Sequence, residues 1–332
     1  MHRYTRGLDR LSRNDEPGFG GKSANLGELL AAEIPVPPGF AISTAAYEAF
    51  VAHNRLQPKI ADASTAVGDA MRAATMPGDV RAEIIEQYAR LGEDAPVAVR
   101  SSAIGEDSAE ATFAGQQETY LWVRGADRVC DAVRDCWASL YSPTAISYRS
   151  RVSAAADSPA MGVTVQLMVD AEVSGVMFTC NPVSGDPSMV AINASWGLGL
   201  AVVGGEVTPD DYLVSKVTRE VVREHVHCKD VQYVPDPGGS GAVRVEVDAD
   251  RRETRALENA DLERLVDVAR KIERHFGCHQ DIEWALARGA DGELFVVQTR
   301  PVTALPNKPD KPKAESALSL IMSTFGAAPR GN

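Results

Sequence analysis

Cysteine is scarce in this sequence and never paired in a motif. The five residues, Cys130, Cys136, Cys180, Cys228 and Cys278, form no Cys-x-x-Cys. An odd number in a chain of this size argues against a disulfide framework and points to a reducing, cytoplasmic setting. Positive charge is also in deficit: 34 Lys and Arg stand against 46 Asp and Glu, a net charge of −12. That balance argues against a nucleic-acid partner, which needs a basic surface to neutralise phosphates. It leaves room for one nucleotide, whose pocket needs only a few well-placed cations. No apolar run approaches the roughly 20 residues of a membrane helix. The polar start, Met1 to Arg6, has no apolar h-region, so neither a membrane span nor a secretory leader is expected. No internal repeat is visible.

Two phosphate-binding signatures are missing as well. A Walker A loop ending at Gly21-Lys22-Ser23 would need Gly at position 16, which is Glu. A Rossmann fingerprint at Gly197-Leu198-Gly199 would need Gly at 202, which is Val, and an early βαβ context.

What is present is ample for a core: 44% of the 332 residues are hydrophobic, enough for two lobes. Helical patterns are predicted from Ala24 to Ala32, from about Ser43-Thr44 (a good cap pair), across much of 51–95, over 126–152 and over 259–276. Val97–Val99 is predicted as a short buried strand that delivers Arg100-Ser101-Ser102 into a polar loop. Tyr120–Val123 is a further strand. From Met161 the texture turns to β, with strands at Met161–Val169, Gly175–Thr179 and Val190–Ala194.

The most informative segment is a hairpin predicted at 280–300, with Gly289-Ala290-Asp291-Gly292 as its turn. Residues two apart on a strand share a face, so Asp281 pairs in direction with Glu283, and Gln298 with Arg300. A loop at Ala290-Asp291 sets Asp281 opposite Arg300 and Glu283 opposite Gln298. A loop at Asp291-Gly292 sets Glu283 opposite Arg300. Either register leaves the four polar groups on one face and Ile282, Trp284 and Leu286 on the other, toward a core. Carboxylates suit Mg²⁺, which bridges phosphate oxygens, and Arg suits a phosphate fork. A surface salt-bridge ladder accounts for the same pattern.

Three weaker signals accompany it. Gly20-Gly21-Lys22 before a helix start could bring backbone N–H groups and a point charge to an anion, or be a turn with a solvated Lys. Arg100-Ser101-Ser102 could form an anion site, with Ala114-Gly115-Gln116 lying over phosphates, or be an ordinary surface loop. His225 and His227 share a strand face as a metal pair would, but no third ligand is evident; His275 and His279 read as exposed polar residues.

Taken in order, these stretches resemble the ATP-binding domain of phosphoenolpyruvate synthase, pyruvate phosphate dikinase and rifampicin phosphotransferase. The resemblance runs from about Gly18 to Val302. It is carried by residues 20–27, Val99–Ala103 with Phe113–Gln116, Glu172–Thr179, Asp281–Trp284 and Gln298–Pro301. It implies an α+β, ATP-grasp fold of two lobes with ATP in the cleft between them. Residues 1–169 would form the N-terminal lobe, 170–305 the C-terminal lobe and 306–332 a linker-like tail. It also implies roles. Lys22, Arg100 and Arg300 would act on the phosphates during transfer. Gly115 and Thr119 would lie in the phosphate-covering segment. Gln166, Met168 and Val169 would sit at the lobe hinge near adenine. Asp281 and Glu283 would hold Mg²⁺, and Gln298 and Arg300 would meet the triphosphate.

The activity implied is of the pyruvate, water dikinase type. The pyrophosphoryl group of Mg·ATP passes to a histidine on a swivelling domain and AMP leaves. The phosphoryl group then goes on to pyruvate or another small-molecule acceptor. None of the six histidines here has the carrier's Thr-Ser-His-Ala context. A separate protein carrying that domain, and binding the acceptor, is therefore the expected partner. One departure stands out: where the family reads Gly-Leu-Gly-Glu, this sequence has Gly197-Leu198-Gly199-Leu200. It marks a second expectation, a catalytically idle nucleotide-binding or regulatory module; a complete small-molecule kinase, with ADP as product, is a third.

Overall fold

The β-rich and helix-periodic stretches sort into two antiparallel sheets, each with its own helical cover. The computed structural model describes residues 2–61, 66–104, 118–152, 160–239, 241–289 and 292–302. In the first half the elements are β1 (Thr5–Gly7), α1 (Glu16–Phe19), α2 (Gly21–Ala31), β2 (Gly39–Ile42), α3 (Thr44–His53), α4 (Gln57–Ala61), α5 (Ala66–Arg72), α6 (Gly78–Ala89), β3 (Val97–Ala103), β4 (Thr119–Val123), α7 (Ala126–Ser139), α8 (Pro143–Val152) and β5 (Met161–Leu167). The five strands pair antiparallel in the order β1-β2-β5-β3-β4.

The second half holds β6 (Ala171–Phe178), β7 (Met189–Trp196), α9 (Leu200–Val203), β8 (Asp210–Ser215), β9 (Val221–His225), β10 (Val231–Pro235), β11 (Ala242–Glu246), α10 (Asn259–Phe276), β12 (Gln280–Ala287) and β13 (Leu294–Pro301). Six of these strands form a sheet in the order β13-β12-β6-β7-β8-β9, and β10 and β11 make a separate ribbon. The class is α+β, as expected. All five cysteines are free, and no described helix is long and apolar enough to cross a membrane.

Alternation decides what each sheet buries. In the first, Phe40, Ile42, Val97, Val99, Val163 and Val165 face the core shared with α3 and α5 to α7. The opposite face carries small and polar residues: Gly39, Ala41, Ala98, Arg100, Ser102, Gly162, Thr164 and Gln166. In the second, Met177, Ile192, Tyr212, Ile282 and Trp284 pack beneath α10. That helix presents Leu262, Leu265, Val266, Ala269 and Ile272 at the spacing of one apolar stripe. A capping box between Glu258 and Asp261 opens it, and Gly277, at φ +71°, closes it.

Helix α2 lies between the lobes. On one side Ser23 meets the first sheet: its hydroxyl lies 2.7 Å from that of Thr164, and its N–H donates to Ser102 Oγ at 3.2 Å. On the other side Asn25 donates to the Thr299 carbonyl of β13, and His275 of α10 lies 2.8 Å from Glu28. Gly20 makes this seating possible. Its φ is +80°, and a Cβ there would come within 2.0 Å of the Ser102 carbonyl oxygen.

The structure departs from the sequence reading at several points. Strand β3 continues through Arg100, Ser101 and Ser102 instead of releasing them into a loop, because β5 offers Thr164, Val163 and Gly162 as ladder partners. Ser43 precedes α3 as expected but makes no side-chain cap bond. The 126–152 helix is two helices broken after Ser139. The turn at Ala290-Asp291 and the 306–332 tail lie outside the described residues.

Candidate functional site

The hairpin adopts the first of the two registers foreseen: Asp281 opposite Arg300 and Glu283 opposite Gln298. Beyond that point the pairing slips, so that Trp284 meets Val296 and Val297 becomes the extra residue of a β-bulge. Because β13 is the edge of its sheet, backbone groups on its outer side need partners from elsewhere. Val296 N–H donates to the Pro35 carbonyl at 2.8 Å. The Val297 carbonyl accepts from Arg100 Nη1 at 3.0 Å, a bond from lobe to lobe.

Arg100 is the hub. It projects from the small, polar face of the first sheet, where it stands opposite Thr164 on one side and Thr119 on the other. Its Nη2 lies 3.5 Å from Glu283, and both side chains are largely covered. Its Nε is buried without a hydrogen-bond partner among the described residues. An orphaned guanidinium N–H in a buried site is costly, and an anion would satisfy it. Lys22, 8% exposed on the first turn of α2, lines the same pocket. The other walls are Leu26, Arg100, Thr164, Val297, Gln298 and Thr299.

The second carboxylate is held next door. Asp281 Oδ2 accepts from Arg300 Nε at 2.9 Å and lies 2.8 Å from its Nη2. Burial pushes the Asp281 carboxyl above the ordinary carboxylate value, and Arg300 pulls against that rise. The described residues therefore bring four cationic or amide groups and two carboxylates into one strip between the lobes. The donor set fits a polyanion with a hard cation: oxygen ligands for the metal, Lys and Arg for phosphates.

The sheet face that carries Asp281 and Glu283 turns apolar further along. Ala285, opposite Phe295, joins Trp122, Val169, Ala171 and Leu198 in a small cluster, with Met168 and Phe295 packed against it. The strip is thus polar at one end and apolar at the other, as a nucleotide is.

Most residues singled out from the sequence meet here. Lys22, Arg100 and Gln298 line one pocket; Glu283 contacts Arg100; Asp281 pairs with Arg300; Thr119 stands beside Arg100 in the ladder but is exposed. Met168 and Val169 belong to the apolar end. Gln166 is buried on the same sheet face as Thr164, and its Nε2 donates to the Pro37 carbonyl at 3.3 Å. Gly115 lies outside the described residues. Ser101 and Ser102 do not reach the pocket, since their hydroxyls go to the Glu118 carbonyl and the Ser23 N–H. Nor is Gly20-Gly21 an open phosphate turn, because Gly20 is pressed against Ser102. The described residues hold no group of three potential metal ligands around His225 and His227.

Sequence reasoning missed Thr164, Val297, Phe295 and Trp122. Thr164 carries the signal of a polar residue in a run of valines. The bulge that exposes Val297 to Arg100 has no local signature.

Comparison with known proteins agrees with this geometry. A family model described as pyruvate phosphate dikinase, AMP/ATP-binding domain, matches residues 16–319. The chain is 38% identical over 349 residues to a probable phosphoenolpyruvate synthase of Methanothermobacter thermautotrophicus, covering 99% of this chain and 50% of that protein. It is 38% identical over 387 residues to the phosphoenolpyruvate synthase of Pyrococcus furiosus, covering 99% and 47%. The chain thus spans about half the length of these curated relatives. Among solved structures, D-alanyl-alanine synthetase A of Vibrio cholerae aligns over 85% of this chain and 58% of its own. At 12% identity and a TM-score of 0.33 that likeness carries no argument. The match across residues 16–319 does, and the chain belongs to the family of pyruvate phosphate dikinase AMP/ATP-binding domains.

Proposed function

We propose that this chain binds Mg·ATP between its two lobes, in an ATP-grasp arrangement, and passes the pyrophosphoryl group to a histidine on a separate swivelling domain. In that step a histidine nitrogen bonds to the β-phosphorus, the bond from the β-phosphorus to the bridging oxygen of the α-phosphate breaks, and AMP leaves. The pyrophosphoryl-histidine then loses inorganic phosphate to water, and the remaining phosphoryl group passes to a small-molecule acceptor, pyruvate or another, bound by the partner. The observation that carries the reading is the convergence of Lys22, Arg100 and Gln298 on one pocket beside the Asp281 and Glu283 carboxylates.

Each side chain has a task in this scheme. Lys22 and Arg100 bind the phosphates and orient them for in-line attack. Arg300 offsets charge that builds during transfer. Asp281 and Glu283 would hold Mg²⁺, which would supply positive charge to offset that of the phosphates. The apolar end, with Met168 and Val169, would receive the base, and Gly115 and Thr119 would cover the phosphates.

The ion pairs of the site accord with these roles. Arg100 leans on Glu283 and Arg300 on Asp281, so the cations and carboxylates satisfy one another. Binding would exchange these partners: phosphate for Glu283 at Arg100, metal for Arg100 at Glu283. A cytoplasmic location accords with the free cysteines.

Leu200 favours a second reading, a nucleotide-binding module without transfer, because it stands where the resemblance calls for a carboxylate and is exposed. Product analysis separates the readings. The chain is incubated with Mg·ATP alone and with a candidate carrier domain. AMP that appears only with the carrier is the expected result. Rapid AMP release by the chain alone refutes the need for a carrier, ADP points to a kinase, and binding without product points to the idle module.

A further inference from the structure

Trp122 combines three features found together at no other described residue. Its φ is +54°, in the left-handed region, although it lies within β4. The other described non-glycine residues with positive φ are Glu33, Arg55, Asp94 and Arg219, all polar and all outside strands. A bulky aromatic side chain makes this conformation costly, and such strain persists only where the surroundings enforce it. Trp122 is 7% exposed, and its indole N–H has no hydrogen-bond partner among the described residues. Trp137 and Trp284 also bury an unpaired N–H, but both belong to the main cores of their lobes.

The strain has a visible cause. Val97 pairs with Val123 but Val99 with Tyr120, so Leu121 and Trp122 of β4 together stand opposite Ala98 alone, a bulge of one extra residue. Such bulges re-aim a side chain. Here the result is an indole from the first lobe packed in the apolar cluster with Val169 of the connection, Leu198 and Ala285 of the second lobe, beside Met168 and Phe295. The backbone spans the lobes as well, since the Trp122 carbonyl accepts from Gly241 N–H at 3.4 Å.

We infer that Trp122 is a nucleobase-positioning residue. Its indole forms the first-lobe wall of the apolar end of the cleft, and its N–H is a donor kept for an acceptor nitrogen of a purine. The inference rests on the nucleotide reading above and adds to it the group that would favour a base over bare polyphosphate.

The test compares Mg·ATP with Mg·tripolyphosphate, which has the phosphates but no base, by calorimetry on the full chain and on Trp122→Phe. Trp122→Tyr replaces it should the Phe variant not fold, as judged by thermal melting. The expected result is a loss of about tenfold in ATP affinity with tripolyphosphate affinity unchanged. The tryptophan fluorescence change on ATP addition to the wild type should also disappear in the variant. Equal weakening of both ligands, or unchanged ATP affinity, overturns the assignment. If the wild type binds neither ligand, the nucleotide reading falls and this inference with it. If it binds both and the variant is indistinguishable, only the role of Trp122 falls.

Discussion

The partner exchange proposed for Arg100 can be measured as a coupling that vanishes when ligand binds. The perturbation is a double-mutant cycle of Arg100→Met, Glu283→Gln and the pair together. Arg100 Nη2 and Glu283 lie 3.5 Å apart, with side chains 14% and 25% exposed. At an effective dielectric near 20 the bare attraction at that distance is about 5 kcal/mol. Desolvation of both groups removes most of it, and about 1–2 kcal/mol should remain as net coupling. The assay is urea unfolding of the four proteins, first ligand-free and then with saturating Mg·ATP. The ligand-free cycle should return that coupling. With Mg·ATP it should fall toward zero, since Arg100 then serves phosphate and Glu283 the metal. Arg100→Met alone should weaken ATP binding by about 1.5–3 kcal/mol, the range for a hydrogen bond to a charged group. A coupling of the same size with and without Mg·ATP would refute the exchange, and so would ATP affinity indifferent to Arg100→Met.

Two further outcomes are expected. Asp210 is fully buried and accepts from the Lys229 ammonium, the His227 and Ala256 N–H groups and the Tyr212 hydroxyl. Asp210→Ala should therefore cost about 3–5 kcal/mol in chemical denaturation, because the fully buried Lys229 is left uncompensated; a cost under about 1 kcal/mol would contradict the keystone role. The raised Asp281 carboxyl sets opposite pH trends for metal and for stability. Its folded value exceeds its unfolded one, so burial of the charge costs stability above the unfolded value, and that cost is relieved as pH falls through the folded value. Mg²⁺ needs the ionised form, so Mg·ATP affinity should begin to fall with decreasing pH at a higher pH than an ordinary carboxylate would give. Asp281→Asn should lower Mg·ATP affinity, remove that slope and leave ligand-free stability equal or higher; loss of ligand-free stability would show that the Arg300 pair outweighs burial.

Local signals made much of this legible. The α10 stripe from Leu262 to Ile272, with Gly277 behind it, has one reading because burial of a helix face requires that spacing. The hairpin face was legible because a strand has period two, so Asp281, Glu283, Gln298 and Arg300 had to share a side whichever turn closed it. Where pairing is non-local the reading failed. Arg100-Ser101-Ser102 looks like a loop from its polarity, yet it is strand because β5, some sixty residues on, supplies its partners.

The sequence by itself determined which residues lie on which face, and that a Lys, two Arg, an amide and two carboxylates were available for phosphate and metal. Only the tertiary structure decided that these groups meet. Gly20 lets α2 settle on the first sheet, the bulge at Val297 turns a carbonyl toward Arg100, and Trp122 of the first lobe packs with Leu198 and Ala285 of the second. Each of these depends on atoms far apart along the chain coming within a few ångströms. No periodicity encodes such contacts, because periodicity records only how a segment divides its own surface between core and solvent.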